Sequence, residues 1–144
     1  DSNFEKKVKL IKDAIKLHNP KSDDAIDILQ KVGGYEIGGM TGIILAAASK
    51  RVPIVVDGFI SGASLLLAYL LSNNIKDYIF ASHCSVESGH KVILDYLGLK
   101  PILDLNLRLG EGTGAALAFL IIEAGLKILN EMATFESAGV SNKS

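Results

Sequence analysis

The residue types best suited to chemistry lie in a glycine-rich run at residues 108–116, RLGEGTGAA. Glycine lets the backbone approach a ligand closely and adopt positive φ. A helix that begins just after this run directs free N–H groups and the positive end of its dipole at the loop, which suits an anion such as phosphate. Because its carboxylate would repel phosphate, Glu111 is better suited to a general base. An ordinary glycine-rich turn before a helix is the alternative interpretation.

Two further polar clusters follow short apolar runs. Asp57 follows the β-branched run at residues 53–56, and its carboxylate suits either a ribose hydroxyl or the capping of the next helix. Ser82 and Ser85 follow the run at residues 78–81. Their hydroxyls suit either hydrogen bonds to a phosphate or hydroxyl group or ordinary loop capping.

The basic and sulfur-containing side chains carry weaker signals. His83, Cys84 and His90 are too few for a soft-metal site, so we expect no metal. Neighbouring strand residues direct their side chains to opposite faces, which disfavours a Cys84 nucleophile activated by His83. We interpret Cys84 as a buried thiol at a strand end. Arg108 suits an ion pair with Glu111 and a phosphate contact equally well.

The elements that must position these residues alternate between helix and strand. Apolar periodicity and breaker residues predict helices at residues 4–17, 25–32, 36–50, 59–71, 89–97 and 113–132, and strands at 53–57, 78–81 and 101–105. This alternation is typical of an α/β, parallel-sheet, doubly wound (Rossmann-like) three-layer domain, whose ligands bind beyond the carboxyl ends of the strands. The three polar clusters all fall there. We predict one α/β domain over residues 1–135 and a flexible tail at 136–144.

Composition limits the class of protein. The 144 residues fit one domain or a large piece of one, and the 49% hydrophobic content fits a fragment or an oligomer subunit, whose apolar surface is covered by another segment or chain. The charge is balanced, with 15 basic and 16 acidic residues, and no basic stripe indicates a nucleic-acid partner. The apolar stretches at 59–71 and 115–122 look too short or interrupted to span a bilayer, so no membrane partner is expected. The single cysteine, Cys84, fits a reducing cytoplasm.

Several runs together resemble one family, the nicotinate-nucleotide–dimethylbenzimidazole phosphoribosyltransferases of cobalamin nucleotide-loop assembly. The runs occur in the family's order and span almost the whole chain. They are residues 32–40 (VGGYEIGGM), 51–60 (RVPIVVDGFI), 82–87 (SHCSVE) with 89–90 (GH), 107–114 (LRLGEGTG), and 131–135 (EMATF) with 138–140 (AGV). Their joint occurrence is far more specific than a single glycine loop.

The resemblance implies a reaction, the transfer of phosphoribose from nicotinate mononucleotide to a nitrogen of 5,6-dimethylbenzimidazole. The products are α-ribazole 5′-phosphate and nicotinate. In this family the glutamate of the Gly-Glu-Gly-Thr-Gly motif is the proposed general base, which assigns that role to Glu111. The residues expected to contact the substrates are Lys7, Asp57, Ser85, Gly110 and Gly112. No cofactor is expected, and the resemblance favours a homodimer.

Family members are more than twice as long, and this chain resembles their carboxyl-terminal part. The sequence therefore predicts a fragment of a larger enzyme that holds the base and part of the nucleotide site. The alternative is a non-catalytic nucleotide-binding or assembly module that needs a complementary amino-terminal part. The acceptor base is left open, because the residues that would select it lie largely in that other part.

Overall fold

Helices alternate with short parallel strands along residues 2–140, the part of the chain that the computed structural model describes. The α-helices are α1 (Ser2–His18), α2 (Ala25–Val32), α3 (Tyr35–Ser49), α4 (Phe59–Leu71), α5 (Ser88–Leu97) and α6 (Thr113–Glu131). The strands are β1 (Ile54–Val56), β2 (Ile79–Ala81), β3 (His83–Ser85) and β4 (Leu103–Leu107), and a 3-10 helix spans Asn73–Tyr78. The α/β class predicted from the sequence is what the structure has.

The strands form two small parallel sheets, in which β1 pairs with β2 and β3 pairs with β4. Only Ser82 separates β2 from β3. Its N–H donates to the carbonyl of Val56 at 2.9 Å, and its carbonyl accepts from the N–H of Leu103 at 2.9 Å. Residues 79–85 therefore run between β1 and β4, and the carboxyl ends of all the strands meet at one edge.

Strand β3 was not predicted from the sequence. Its residues are polar or small, and they lack the β-branched pattern that marks a strand. They become a strand because β4 pairs with them, with His83 opposite Leu103 and Ser85 opposite Leu107. The three residues of β3 therefore lie opposite the five of β4, and the irregularity includes Asn106 at φ +53°.

The apolar core lies between the β1–β2 sheet and helices α3, α4 and α5. Helix α4 is apolar on nearly every face, as expected of a helix surrounded by neighbours. It contacts both α3 and α5, and its buried residues include Leu65 and Ala68. Helix α6 packs on the strands near its first turns, through Gly114 and Ala118, which are its only buried residues in the described structure.

Helix α6 is longer than the apolar stretch at 115–122 that the sequence analysis judged too short or interrupted to span a bilayer. Its 19 residues have a mean hydropathy of 1.5 over an 18-residue window, so it is long and apolar enough to cross a membrane. The stretch at 115–122 appeared shorter because Glu123 interrupts the apolar run, although it does not interrupt the helix. One such helix is weak evidence for a membrane span, since the test rests on length and composition alone.

The chain after α6 forms a hydrogen-bonded turn. Thr134 accepts at its carbonyl from Ala138 N–H, and Phe135 accepts from Val140 N–H, each at 2.9 Å. The predicted flexible tail at 136–144 is described only as far as residue 140, and its last four residues lie outside the described part.

Candidate active site

A cleft of about 670 Å³ lies at the carboxyl edge of the strands, within the size range of small-molecule sites. It is bounded by α1, α3, the ends of β1 and β3, the start of α4, and the loop before α6. All six residues predicted for the site line it: Lys7, Asp57, Ser85, Gly110, Glu111 and Gly112. The fold thus brings together residues from four separate segments.

The carboxylate of Asp57 holds the first turn of α6. One of its oxygens, Oδ1, accepts from the N–H of Ala115 at 3.0 Å, and Oδ2 accepts from the N–H of Gly112 at 3.3 Å. A carboxylate at a helix N-terminus satisfies free N–H groups and interacts favourably with the dipole. Of the two roles considered for Asp57, capping is the one seen, but the capped helix is α6 rather than the next helix, α4. The protein's own carboxylate therefore occupies part of the predicted anion-binding loop.

Glu111 has an unusual backbone conformation. Its φ is +64°, followed by φ +80° at Gly112, so two successive residues are left-handed. For a residue with a Cβ, this conformation costs on the order of 1–2 kcal/mol. Strained residues that persist tend to cluster at functional sites. The Glu111 side chain is exposed on the cleft and has no hydrogen-bond partner within residues 2–140.

The two central glycines of the loop differ from Gly114 in their surroundings. A Cβ at Gly110 or Gly112 would meet no atom within 4 Å, so neither glycine is required by internal packing. Gly112 is favoured by its left-handed φ. Gly110 has neither reason, and its missing side chain leaves the backbone open to the cleft. Thr113 closes the loop by donating its hydroxyl to the carbonyl of Gly110 at 2.9 Å.

Two buried histidines lie under the cleft. His83 is 2% exposed and His90 is 1% exposed, and their ring centroids are 5.9 Å apart in an edge-on arrangement. The N–H of Ser85 donates to Nδ1 of His90 at 3.1 Å. Burial lowers the pKa of His90 below its ordinary value of 6.5, the neighbouring His83 lowers it further, and Asp57 opposes this shift. We therefore assign a neutral imidazole to His90 at pH 7.

His83 was missed as a site residue, although the sequence held a signal for it. In an extended segment every second side chain faces the same side, so His83 shares the buried side of Ile79 and Ala81. A histidine there must find partners within the fold. It lies against Ser82 and Asp57 and lines the cleft. Within residues 2–140, no three His, Cys, Asp or Glu side chains converge as metal ligands.

The remaining polar candidates are Ser82, Ser85 and Arg108, and both serines form hydrogen bonds within the protein. The Ser82 hydroxyl donates to the carbonyl of Asp57 at 3.0 Å, and Ser85 Oγ accepts from the N–H of Glu87 at 3.3 Å. Both serines thus take the capping role, although Ser85 also lines the cleft. The Arg108–Glu111 ion pair considered from the sequence does not form in the described part of the chain.

Cys84 departs from its predicted setting. It is half-buried rather than buried, its Sγ lies 3.8 Å from the carbonyl of Ser85, and it does not line the cleft. Its polar neighbours account for this, because β3 ends at the open edge of the sheet. Sequence patterns also did not indicate the apolar wall of the cleft, which consists of Met40, Phe59, Ile60 and Leu109.

The fold and the cleft together define a class, the α/β domains that bind a small polar molecule at the carboxyl edge of parallel strands. A family model described as phosphoribosyltransferase, DBI_PRT, matches residues 1–140. The chain belongs to this family, as its sequence motifs predicted.

Relatives with known names agree with this assignment. The nicotinate-nucleotide–dimethylbenzimidazole phosphoribosyltransferase of Dehalococcoides mccartyi is 57% identical over 143 residues, which is 99% of this chain and 41% of the relative. The enzyme of the same name from Citrifermentans bemidjiense is 56% identical over 142 residues, also 99% and 41%. The crystal structure of the Thermus thermophilus enzyme of that name aligns with a TM-score of 0.79 at 44% identity, covering 83% of this chain and 36% of that one. The chain thus spans about two fifths of the length of the curated relatives it matches.

Proposed function

We propose that this chain is the base-bearing part of a nicotinate-nucleotide–dimethylbenzimidazole phosphoribosyltransferase. Its reaction is the transfer of phosphoribose from nicotinate mononucleotide to 5,6-dimethylbenzimidazole. The observation that carries the proposal is the convergence of five residues of the family runs, together with Lys7, on one cleft in a chain that belongs to this family. The relatives that bear this name match nearly the whole chain, which supports the same activity.

Glu111 acts as the general base. One benzimidazole nitrogen attacks C1′ of the ribose while the bond from C1′ to nicotinate breaks, and the Glu111 carboxylate takes the proton from the other ring nitrogen. The leaving nicotinate departs from a cationic pyridinium, so it needs little acid catalysis. The exposed, left-handed position of Glu111 on the cleft supports this role, because a carboxylate already bonded within the protein would be a poorer base.

The other cleft residues bind the nucleotide. Lys7 presents an ammonium group on the α1 side of the cleft, where it meets the phosphate. Gly110 and Gly112 admit the phosphoribosyl group close to the backbone, and the Ser85 hydroxyl hydrogen-bonds to it. Asp57 has carboxylate lone pairs beyond the two that accept from α6, and these receive a ribose hydroxyl.

The proposal also covers the arrangement of the fold and the cellular location of the protein. We infer a doubly wound, Rossmann-like arrangement with three layers, supported by the parallel strands, by helices α4 and α5, which contact each other, and by α6, which contacts β1, β3 and β4. We also infer a cytoplasmic location, supported by the single free thiol of Cys84. Neither a cofactor nor a metal is part of the proposed chemistry.

The first test is calorimetric titration of the chain with nicotinate mononucleotide. Binding in the range of about 1 μM to 1 mM, some 4–8 kcal/mol, would support a working half-site. Lys7→Ala should weaken that binding, whereas Lys16→Ala, farther along the same helix and outside the cleft, should not. Binding that is unaffected by Lys7→Ala contradicts the phosphate role of Lys7.

The second test measures turnover in a chimera in which this chain replaces the matching region of the Citrifermentans bemidjiense relative. Glu111→Gln should lower kcat by about 10²–10⁴-fold, the usual contribution of a general base, and leave nucleotide affinity nearly unchanged. The matched control is Glu131→Gln at the other end of α6, about 27 Å away along the helix. Normal turnover in the Glu111→Gln chimera would remove the general-base assignment.

The assembly-module alternative rests on a different observation, the exposed apolar side chains around α6. Seven of them are 39–80% exposed and lie on all sides of the helix: Leu117, Phe119, Leu120, Ile121, Leu126, Ile128 and Leu129. Exposed apolar surface of this kind marks contact sites, and it supports both a complementary chain and the proposed homodimer. Sedimentation of the chain should show association that Leu129→Lys weakens. The similarly exposed Leu10→Lys on α1 serves as the control. A monomer that turns over substrates unaided would exclude the alternative.

A further inference from the structure

His83 is a buried polar side chain that the proposed chemistry does not use. It lies at the amino end of β3 and is 2% exposed, yet it belongs to the lining of the cleft. Burying a polar ring costs free energy unless its nitrogens are satisfied. Its partners therefore indicate what the imidazole is retained for.

The hydrogen bonds of Ser82 determine the tautomer of His83. The single hydroxyl proton of Ser82 is donated to the carbonyl of Asp57 at 3.0 Å. Ser82 Oγ also lies 3.0 Å from Nδ1 of His83, and only its lone pairs are left for that contact. Nδ1 of His83 therefore carries the proton and donates it to Ser82. The serine thus connects the imidazole to the end of β1.

The same ring supports the start of α6 in two ways. A Cβ at Gly114 would overlap the imidazole of His83, so the first turn of α6 rests directly on the ring. The protonated Nδ1 is also 3.7 Å from Oδ1 of Asp57, the oxygen that accepts from Ala115 N–H. At this distance the contact is electrostatic rather than a hydrogen bond. The ring therefore borders both the backbone of α6 and the carboxylate that caps it.

We propose that His83 is a positioning residue, which holds the first turn of α6 through Ser82 and Asp57 and thereby fixes Glu111 on the cleft. His83 acts on the backbone of the loop that carries Glu111, because the Glu111 side chain itself has no hydrogen-bond partner within the described residues. Its left-handed backbone persists only if the loop is held on both sides. The consequence for catalysis rests on the proposed function, whereas the consequence for the loop does not.

Two variants separate a polar positioning role from simple packing. His83→Phe keeps a ring of similar size under Gly114 and removes the donor to Ser82. Ser82→Ala keeps His83 and removes the bridge, so it remains informative if His83→Phe does not fold. The control is Ser64→Ala, since Ser64 is also fully buried but its hydroxyl donates to Ile60 within α4.

The first readout is hydrogen exchange of the Gly112 and Ala115 amides in the chain, compared with the amide of Ala68 in α4. Both variants remove the hydrogen bond between Ser82 Oγ and Nδ1 of His83, and this loss should speed exchange at Gly112 and Ala115 by about tenfold. The exchange rate at Ala68 should not change in either variant, and Ser64→Ala should not change the exchange rates at Gly112 and Ala115. Unchanged protection at Gly112 and Ala115 in both His83→Phe and Ser82→Ala overturns the proposal.

The second readout is turnover in the chimera. A displaced Glu111 should lower kcat by at least about tenfold, while KM for nicotinate mononucleotide changes by less than about twofold. A purely structural role would instead lower the amount of folded enzyme and leave kcat per folded molecule unchanged, and that result would also overturn the proposal. If the unmodified chimera does not turn over, the proposed function fails, and the amide exchange still decides whether His83 positions the loop.

Discussion

Helices α4 and α6 have similarly apolar sequences and opposite surroundings. Residues of α4 such as Leu65 and Ala68 are buried between α3 and α5, whereas Leu129 of α6 is 80% exposed. Within residues 2–140, only the first turns of α6 are held, by the Asp57 carboxylate, the packing of Gly114 on His83 and the burial of Ala118. The difference shows that apolar composition sets a tendency to be buried, and that neighbouring elements decide where burial happens. In α6 the held end is the candidate site, and the exposed end is available to a partner.

The largest expected effect compares leucines in the two helices. Leu65→Ala should lower the free energy of unfolding by about 2–5 kcal/mol, because it leaves a cavity at a position that is 2% exposed. Leu129→Ala should change it by no more than about 0.5 kcal/mol, because that side chain is already in solvent. Urea unfolding of both variants measures the difference. Equal losses would mean that α6 is covered in solution, which would strengthen the case for self-association.

A second comparison lies within α6 and uses two glycines. Gly114→Ala forces its Cβ into the ring of His83, and overpacking of this kind should cost about 1–3 kcal/mol of stability. Gly125→Ala meets no atom within 4 Å, and it should stabilise the helix by roughly 0.5–1 kcal/mol. Opposite shifts in Tm are therefore expected. A stabilising Gly114→Ala would show that the first turn of α6 does not rest on His83.

The third prediction compares two carboxylates. Asp57→Ala removes the cap of α6 and should cost about 0.5–2 kcal/mol. Asp95→Ala removes an exposed ion pair with Lys91 and should cost no more than about 0.5 kcal/mol. Denaturant unfolding at pH 7 provides both values. If Asp57→Ala costs no more than Asp95→Ala, the carboxylate does not hold the beginning of α6.

The smallest expected effect is on the pH dependence of stability, and it comes from the buried His90 beneath the cleft. Burial holds the pKa of His90 below 6.5 in the folded chain, so the unfolded chain takes up this proton more readily. The stability due to neutral His90 is complete above pH 6.5 and is lost as the pH falls from there through the folded pKa. His90→Gln should therefore flatten the decline in stability between about pH 7 and pH 5. The control His18→Gln, on the exposed end of α1, should leave the decline unchanged.

Much of the local structure follows from the sequence. The predicted bounds of α2 and α4 are those of the structure, since an acidic N-cap, glycine ends and apolar content all agree there. Helices α1, α3 and α5 differ from prediction by one or two residues at their ends, where helices fray. The polar strand β3 could not be predicted, because its pairing with β4 depends on residues about 20 positions away.

The sequence by itself determined which residue types are available for chemistry. A carboxylate within a glycine loop and serines after a strand are chemical identities, the ordered runs around them indicated the family, and Lys7 became a candidate through that resemblance alone. Only the tertiary structure decided how they are used. Asp57 and Gly112 are 55 residues apart, and their hydrogen bond exists because parallel strands bring their carboxyl ends to one edge. The burial of His83 and the exposure of the apolar side chains of α6 have the same origin, since local periodicity does not specify which surfaces meet.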